Sequence, residues 1–248
     1  MTLLLTIAGC ASSEITPAQS EESVQAKETK QPKETNAELS ADDEIPEGYW
    51  AGIVIKDIEN KKFKNDILKE LDTSRSMSKK QRQDDIDQRI VKAQNIEKFY
   101  NLDKFKIDGY ELYEALITRG MFLYKYAPLN PSAGDLDVDG NYVFNYDTGI
   151  QLQIKRFDYE YGDIPSRVTI EQLADIFEGK VINNSFFCVE TPYNYNEFGG
   201  LLGDTWFDIK APKSVDFNSL PNIGRQLIKS AELVDVEREL DVMRNSTD

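Results

Sequence analysis

Asn141-Tyr142-Val143-Phe144-Asn145-Tyr146-Asp147-Thr148-Gly149-Ile150-Gln151-Leu152-Gln153-Ile154-Lys155 decides the fold class, because here the apolar residues change to strict alternation. Tyr142, Phe144 and Tyr146 occupy alternate positions, with Val143 and Asn145 between them, Asp147-Thr148-Gly149 has the composition of a turn, and Ile150, Leu152 and Ile154 alternate again. The spacing predicts a β-hairpin closed by a three-residue loop with Gly149 left-handed. Tyr146 then pairs with Ile150, Phe144 with Leu152 and Tyr142 with Ile154, so all six share one face. That register makes the aromatic stripe core and argues against a sugar-stacking platform there. Asn145, Gln151, Gln153 and Lys155 take the other face.

Upstream, Tyr49 to Ile55 is nearly continuous in apolar residues and reads as a buried strand. Phe63, Ile67, Leu68 and Leu71 mark a short helix, and Ile86, Ile90, Ala93, Ile96 and Tyr100 fall on one face of a longer one. Asp108 and Glu111 have the form of a capping box opening a third helix, with Tyr113, Leu116, Ile117 and Tyr124 as its apolar stripe. Downstream, the parity flips past Arg156, since Phe157, Tyr159 and Tyr161 lie opposite Ile154. A bulge re-aims the strand, another element covers its second face, or an aromatic row is left uncovered as a ligand-facing surface.

Thr169 and Gln172 form a second capping box, before Ile170, Leu173, Ile176 and Phe177 and ahead of Gly179 as terminator. Val181 to Glu190 and Thr205 to Lys210 read as strands, and Gly199-Gly200-Leu201-Leu202-Gly203 between them as a loop. The last element is a helix from about Ser219 to Met243, with Pro221 in its first turn. Helices and strands come in blocks, which predicts an α+β fold: one domain over 46–248, an antiparallel sheet with several packed helices.

Residues 11–45 are rich in Ser, Thr, Gln, Glu and Lys, without an aromatic residue, and bury too little to offset backbone ordering. They are expected to form a disordered tether with a span of roughly 30 Å. Ahead of them, Ile7-Ala8-Gly9-Cys10 closes a run containing Leu3, Leu4 and Leu5. This resembles the lipobox of bacterial lipoproteins. The resemblance implies that residues 1–9 are a signal segment and that Cys10 carries the lipid that holds the protein on the extracytoplasmic face of the cell membrane. The apolar run is shorter than the roughly 20 residues that cross a bilayer.

The chain has 44 acidic and 29 basic residues, of which nine and three fall in 11–45, leaving 35 and 26 in the domain. An acidic domain argues against nucleic acid and against docking on anionic lipid by charge, so the membrane is reached through the N-terminal lipid alone. There is no histidine, which removes Ser-His-Asp and Cys-His nucleophile activation and every imidazole zinc site. Cys188 is the only cysteine besides Cys10 and sits in an apolar run, so it reads as a buried, inert thiol. No Walker or dinucleotide pattern occurs. Ser76-Met77-Ser78-Lys79 spells Ser-X-X-Lys, but no Lys-Thr-Gly triplet follows.

Asp135-Leu136-Asp137-Val138-Asp139-Gly140-Asn141 matches the first half of a calcium loop, with oxygen ligands at alternate positions and glycine sixth. Position twelve is Tyr146, not glutamate. Two readings stand: a structural calcium site at Asp135, Asp137, Asp139 and Asn141, or an acidic turn whose side chains bond their own backbone. For function, the leading expectation is a membrane-anchored, non-catalytic binding domain for an envelope protein or small ligand, with Phe157, Tyr159, Tyr161, Tyr193 and Tyr195 as candidate contacts. A hydrolase built on paired carboxylates, which needs no histidine, is one alternative. A structural part of an envelope assembly is the other.

Overall fold

The computed structural model describes residues 52–56, 58, 63–78, 80–81, 84, 96–156 and 168–246. All of them lie within one compact unit, Glu38–Asp248. Cys10 with its lipobox, the tether up to residue 45 and the row Phe157, Tyr159, Tyr161 fall outside the described residues.

Eight antiparallel strands form the main sheet: β1 Ile53–Lys56, β3 Tyr110–Ile117, β4 Met121–Pro128, β5 Ile150–Arg156, β6 Lys180–Asn183, β7 Phe186–Val189, β8 Tyr195–Leu202 and β9 Thr205–Pro212. Their order is β1-β3-β4-β5-β9-β8-β7-β6. A two-stranded ribbon pairs β2 Lys98–Asn101 with β10 Glu232–Asp235. The helices are α1 Phe63–Arg75, α2 Ile170–Ile176, α3 Leu220–Ser230 and α4 Val236–Asn245. The architecture is α+β with an antiparallel sheet, as the block arrangement predicts.

Alternation builds the principal core. Phe122, Tyr124 and Tyr126 on β4, Ile150, Leu152 and Ile154 on β5, and Phe207, Ile209 and Ala211 on β9 all point to one face. Phe63, Ile67, Leu68 and Leu71 of α1, Leu220 and Leu227 of α3 and Leu240 of α4 belong to the same cluster. Ion pairs join α1 to α4: Arg75 with Glu237, Lys64 with Glu239 at 2.5 Å and Arg244 with Asp72 at 2.7 Å. Such surface pairs add little each, so burial sets the docking. Among the described residues, no helix is long and apolar enough to cross a membrane.

Several expectations hold. Helix α1 carries the anticipated apolar face. Thr169 and Gln172 cap α2 reciprocally: the Gln172 amide donates to Thr169 Oγ1 at 3.3 Å and the Thr169 amide to Gln172 Oε1 at 2.9 Å. β1 and β9 form where strands were read, although β1 is not buried throughout: Ile53 is, while Val54 and Lys56 are exposed.

Other expectations are corrected. The 142–154 hairpin does not form. β5 instead pairs with β4, setting Ile150 opposite Tyr126, Leu152 opposite Tyr124 and Ile154 opposite Phe122. The β4 aromatics offer the same period-2 partners from a longer strand, and 142–146 keeps a single bridge, Leu136 to Tyr142. Gly149 is not left-handed; its need is space, because a Cβ there would lie 2.6 Å from the Phe144 ring. The helix opened by Asp108 is β3 and β4, with Gly109 turning at φ 81°. A register shift between Leu112 and Glu114 breaks the alternation in β3 and leaves a spacing that imitates a helix.

Tyr100 lies in β2, not in a helix; Ile86, Ile90 and Ala93 of the expected stripe are outside the described residues. The glycine cluster is the end of β8, and only Gly203, at φ 58°, makes the turn. The terminal helix is two helices, because β10 leaves to pair with β2 and Asp235 then caps α4, accepting from the Arg238 amide at 3.1 Å. Val181 to Glu190 is likewise a hairpin, β6 and β7, and not one strand.

Candidate ligand-binding face

The second face of the main sheet carries the residues that alternation turns away from the principal core. At one end it is apolar. Trp206 of β9 and Phe187 of β7 pack with Leu173, Ile170 and Ala174 of α2, while Phe177 stacks on Phe187 at 5.4 Å. Gly199 lets this layer close, since a Cβ there would meet the Phe187 ring at 2.4 Å.

Beyond Trp206 the face becomes charged yet stays covered. Register places Lys155 opposite Trp206, Gln153 opposite Asp208, Gln151 opposite Lys210, and Glu197 opposite Lys210 from the other side. Asp208 is 1% exposed and Glu197 7%. Asp208 Oδ1 has no hydrogen-bond partner and lies 3.9 Å from Lys155 Nζ. Burial pushes the Asp208 carboxyl up to about 7, outweighing the pull of Lys155. Burial also raises Glu197 and lowers Lys155, whose ammonium sits 4.6 Å from the Trp206 ring centre. Desolvation works against the Lys210 charge, but Glu197 and Asp208 together hold its ammonium above the usual range.

Next to this row an aromatic ladder comes to the surface. Tyr193 and Tyr195 stack with ring centres 5.7 Å apart, Tyr195 and Tyr146 lie at 5.4 Å, and Tyr146 meets Phe144 edge-on at 5.5 Å. Tyr193 is 62% exposed and Tyr146 41%. The lower edge is pinned: Tyr146 donates to Gln151 Oε1 at 2.9 Å, and Lys210 and Lys125 sit over the rings of Tyr195 and Phe144. The stripe expected as core is therefore half outside. Losing the local hairpin freed Tyr146 to join Tyr195, which the chain brings from β8.

The acidic loop is bonded to the segment that carries Phe144 and Tyr146, through Asn145 and Thr148. Asp135 Oδ2 accepts from the Ser132 amide at 2.9 Å and Ser132 Oγ at 2.6 Å, and Oδ1 accepts from Thr148 Oγ1 at 2.9 Å and Asn145 Nδ2 at 3.1 Å. These bonds, Ser132 first, hold its carboxyl at about 2. Asp137 Oδ1 accepts the amides of Asn141 and Asp139 at 2.8 and 2.9 Å, lowering its pKa as well. Asp139 and Asn141 are exposed, and Gly140 turns at φ 84°. Asp137 thus bonds the backbone of its own loop, as the turn reading expects, while Asp135 is held by Ser132 before the loop and by Asn145 and Thr148 after it. Among the described residues, no three Asp, Glu or Cys side chains gather in position to hold a metal ion.

Cys188 is half-buried in β7, and burial raises its thiol pKa, which disfavours the reactive thiolate. Sequence reasoning named Tyr193 and Tyr195 but missed Asp208, Glu197, Lys155 and Lys210. A signal was present: an aspartate inside Trp206-Phe207-Asp208-Ile209 is a charge where a strand is otherwise apolar. Compared with family models, curated proteins and solved structures, the chain finds no match.

Proposed function

We propose that the protein is a non-catalytic binding domain, held on the extracytoplasmic face of a membrane by a lipid on Cys10, and that its ligand lands on the ladder Tyr193, Tyr195, Tyr146 and Phe144. The observation that carries this reading is the ladder itself: four rings in contact, two of them well exposed, beside a polar row. Aromatic clusters at the surface bind flat apolar faces, and the neighbouring phenols and charges supply hydrogen bonds. A saccharide offers both, with its C–H face and its hydroxyls. Tyr side chains are large and rigid, with only two χ angles, and so lose little conformational freedom on binding.

The carboxylate hydrolase is the second reading, favoured by Glu197 and Asp208 with both pKa values raised on adjacent strands. Access weighs against it. Both side chains are buried beneath the face, while the exposed groups beside them are rings and not acids.

The test uses the full chain and two readouts. Titration with a soluble hexamer of β-1,4-linked N-acetylglucosamine should shift the NMR signals of Tyr146, Tyr193 and Tyr195 without cleaving the sugar, and Tyr146→Ala with Tyr193→Ala should abolish the shifts. Unshifted tyrosines sink the saccharide reading, and cleaved sugar favours the hydrolase. Mass spectrometry of chain recovered from bacterial membranes should find a diacylglyceryl group on Cys10, and Cys10→Ala should move the protein to the soluble fraction.

A further inference from the structure

Four ionisable side chains from three adjacent strands share the second face of the main sheet: Lys155 of β5, Asp208 and Lys210 of β9, and Glu197 of β8. Two ammoniums stand against two carboxylates, so the row is balanced when all four are ionised. Asp208 is the member without support. Its Oδ1 accepts no hydrogen bond, and Lys155 Nζ, at 3.9 Å, is too far to donate one. Across the register from Asp208 stand Gln153, which is uncharged, and Gly199, which has no side chain. Helix α2 turns Ile170, Leu173 and Ala174 to the sheet, while its Glu171 and Asp175 are exposed. A buried carboxylate oxygen without a donor is poorly stabilised, and a proton is the partner that relieves it. Two links join the row to the ladder. The Lys210 ammonium lies 5.6 Å from the Tyr195 ring centre, and Gln151, opposite Lys210, accepts from the Tyr146 phenol at 2.9 Å.

Taking the ladder as the ligand face, we propose that proton uptake by Asp208 sets the charge beside it, so that the site comes to favour carboxylate-bearing saccharides over neutral ones as the solution turns more acidic. With Asp208 ionised, the two lysines are matched by two carboxylates and the row adds no net charge beside the rings. One proton on Asp208 leaves one ammonium in excess. Lys210, half-buried and already against Tyr195, presents that excess to the ladder. The domain as a whole is acidic, so this attraction for an anion is local and belongs to the protonated state alone. The change falls near neutrality, because burial pushes the Asp208 carboxyl up to about 7 while Lys155 pulls it down, Glu197 pushes it up and Lys210 pulls it down. An uncharged saccharide interacts alike with both states and so responds little to the proton.

Phenyl β-D-glucuronide and phenyl β-D-glucoside differ only in a carboxylate for a hydroxymethyl group, and each is titrated against the full chain by NMR from about pH 5.5 to about pH 8.5. From the alkaline to the acidic end the glucuronide should gain about three- to tenfold in affinity, the size expected for one unit charge near the ligand but not touching it. The glucoside should hold steady. Asp208→Asn keeps the shape without the charge, and should show the acidic preference at every pH. Removing a neighbouring charge should move the midpoint without abolishing it: upward in Lys155→Met, downward in Glu197→Gln. Those two variants decide the matter should Asp208→Asn lose its fold. With no ligand present, the Tyr195 ring signals should follow the same midpoint. A glucuronide-to-glucoside ratio that stays flat with pH, a pH response that survives in Asp208→Asn, or one that Glu197→Gln abolishes would overturn the proposal and leave the ladder as a binding face. If neither probe shifts Tyr146, Tyr193 and Tyr195 at any pH, the ladder reading falls and this proposal with it.

Discussion

The two faces of the main sheet follow different rules. One face is apolar from β1 to β8 and is sealed by α1, α3 and α4, so nearly every side chain on it contributes burial. The other is apolar only under α2; it then passes to a buried row of charges and ends in exposed tyrosines. Stability explains all of the first face but the unbonded Tyr126 hydroxyl, whereas on the second, burying a carboxyl, Asp208, with an unbonded oxygen costs more and needs another reason. Departures of this kind concentrate where a protein handles ligands.

Deleting a core ring on the apolar face should have the largest effect. Phe122→Ala, at a fully buried site in edge contact with Tyr100, should destabilise the domain by about 3–5 kcal/mol in urea unfolding. If it cost much less, the claim that this face carries the stability would break.

On the other face the expected signature is pH dependence. The Asp208 carboxyl rises from 3.8 to about 7 on folding, so the folded protein binds the extra proton and stability falls as pH climbs between those values. The full penalty, on the order of 4 kcal/mol, applies above about pH 7. Asp208→Asn should flatten the decline in Tm between pH 5 and pH 8; an unchanged slope would show that the row is not strained by that charge. Asp135 has the opposite sign. Its carboxyl is held at about 2, so the stability it adds is present above about pH 4 and disappears as the pH falls towards 2.

Gly199→Ala tests the seam between the two faces. The added methyl would press on the Phe187 ring and lie 2.7 Å from the Phe207 carbonyl oxygen, for an expected loss of about 1–3 kcal/mol by thermal melting. Tyr193→Ala sharpens the contrast from the other side. At an exposed position it should change stability by less than about 0.5 kcal/mol while removing ligand binding. The smallest effect belongs to the acidic loop. With Asp135 engaged by Ser132, Asn145 and Thr148 and Asp137 by the amides of its own loop, melts in EDTA and in millimolar calcium should coincide, and a calcium-dependent rise in Tm would restore the metal site.

Legibility divides along the same line. Helix α1, the Thr169–Gln172 cap and strand β9 were readable because each rests on local facts: an apolar spacing, a side chain reaching an amide three residues away, an uninterrupted alternating run. Residues 108–124 were not, because one register shift in β3 gave two strands the apolar spacing of a helix. Tyr142, Phe144 and Tyr146 alternate as a strand does, yet the partners they lacked were taken by Phe122, Tyr124 and Tyr126.

The candidate site divides likewise. Tyr193 and Tyr195 could be named from the chain alone, but their contact with Tyr146 joins residues almost fifty positions apart. The sequence by itself determined the α+β class, the acidic balance, the absence of histidine chemistry and the expectation of a lipid on Cys10, since these depend on composition and short-range pattern. Only the tertiary structure decided which strands pair, that Asp208 is buried beside Glu197 between two lysines, and that the Tyr126 hydroxyl is buried without a hydrogen-bond partner. Each of those depends on register between distant segments, where many pairings are locally equivalent and burial summed over the whole sheet selects one.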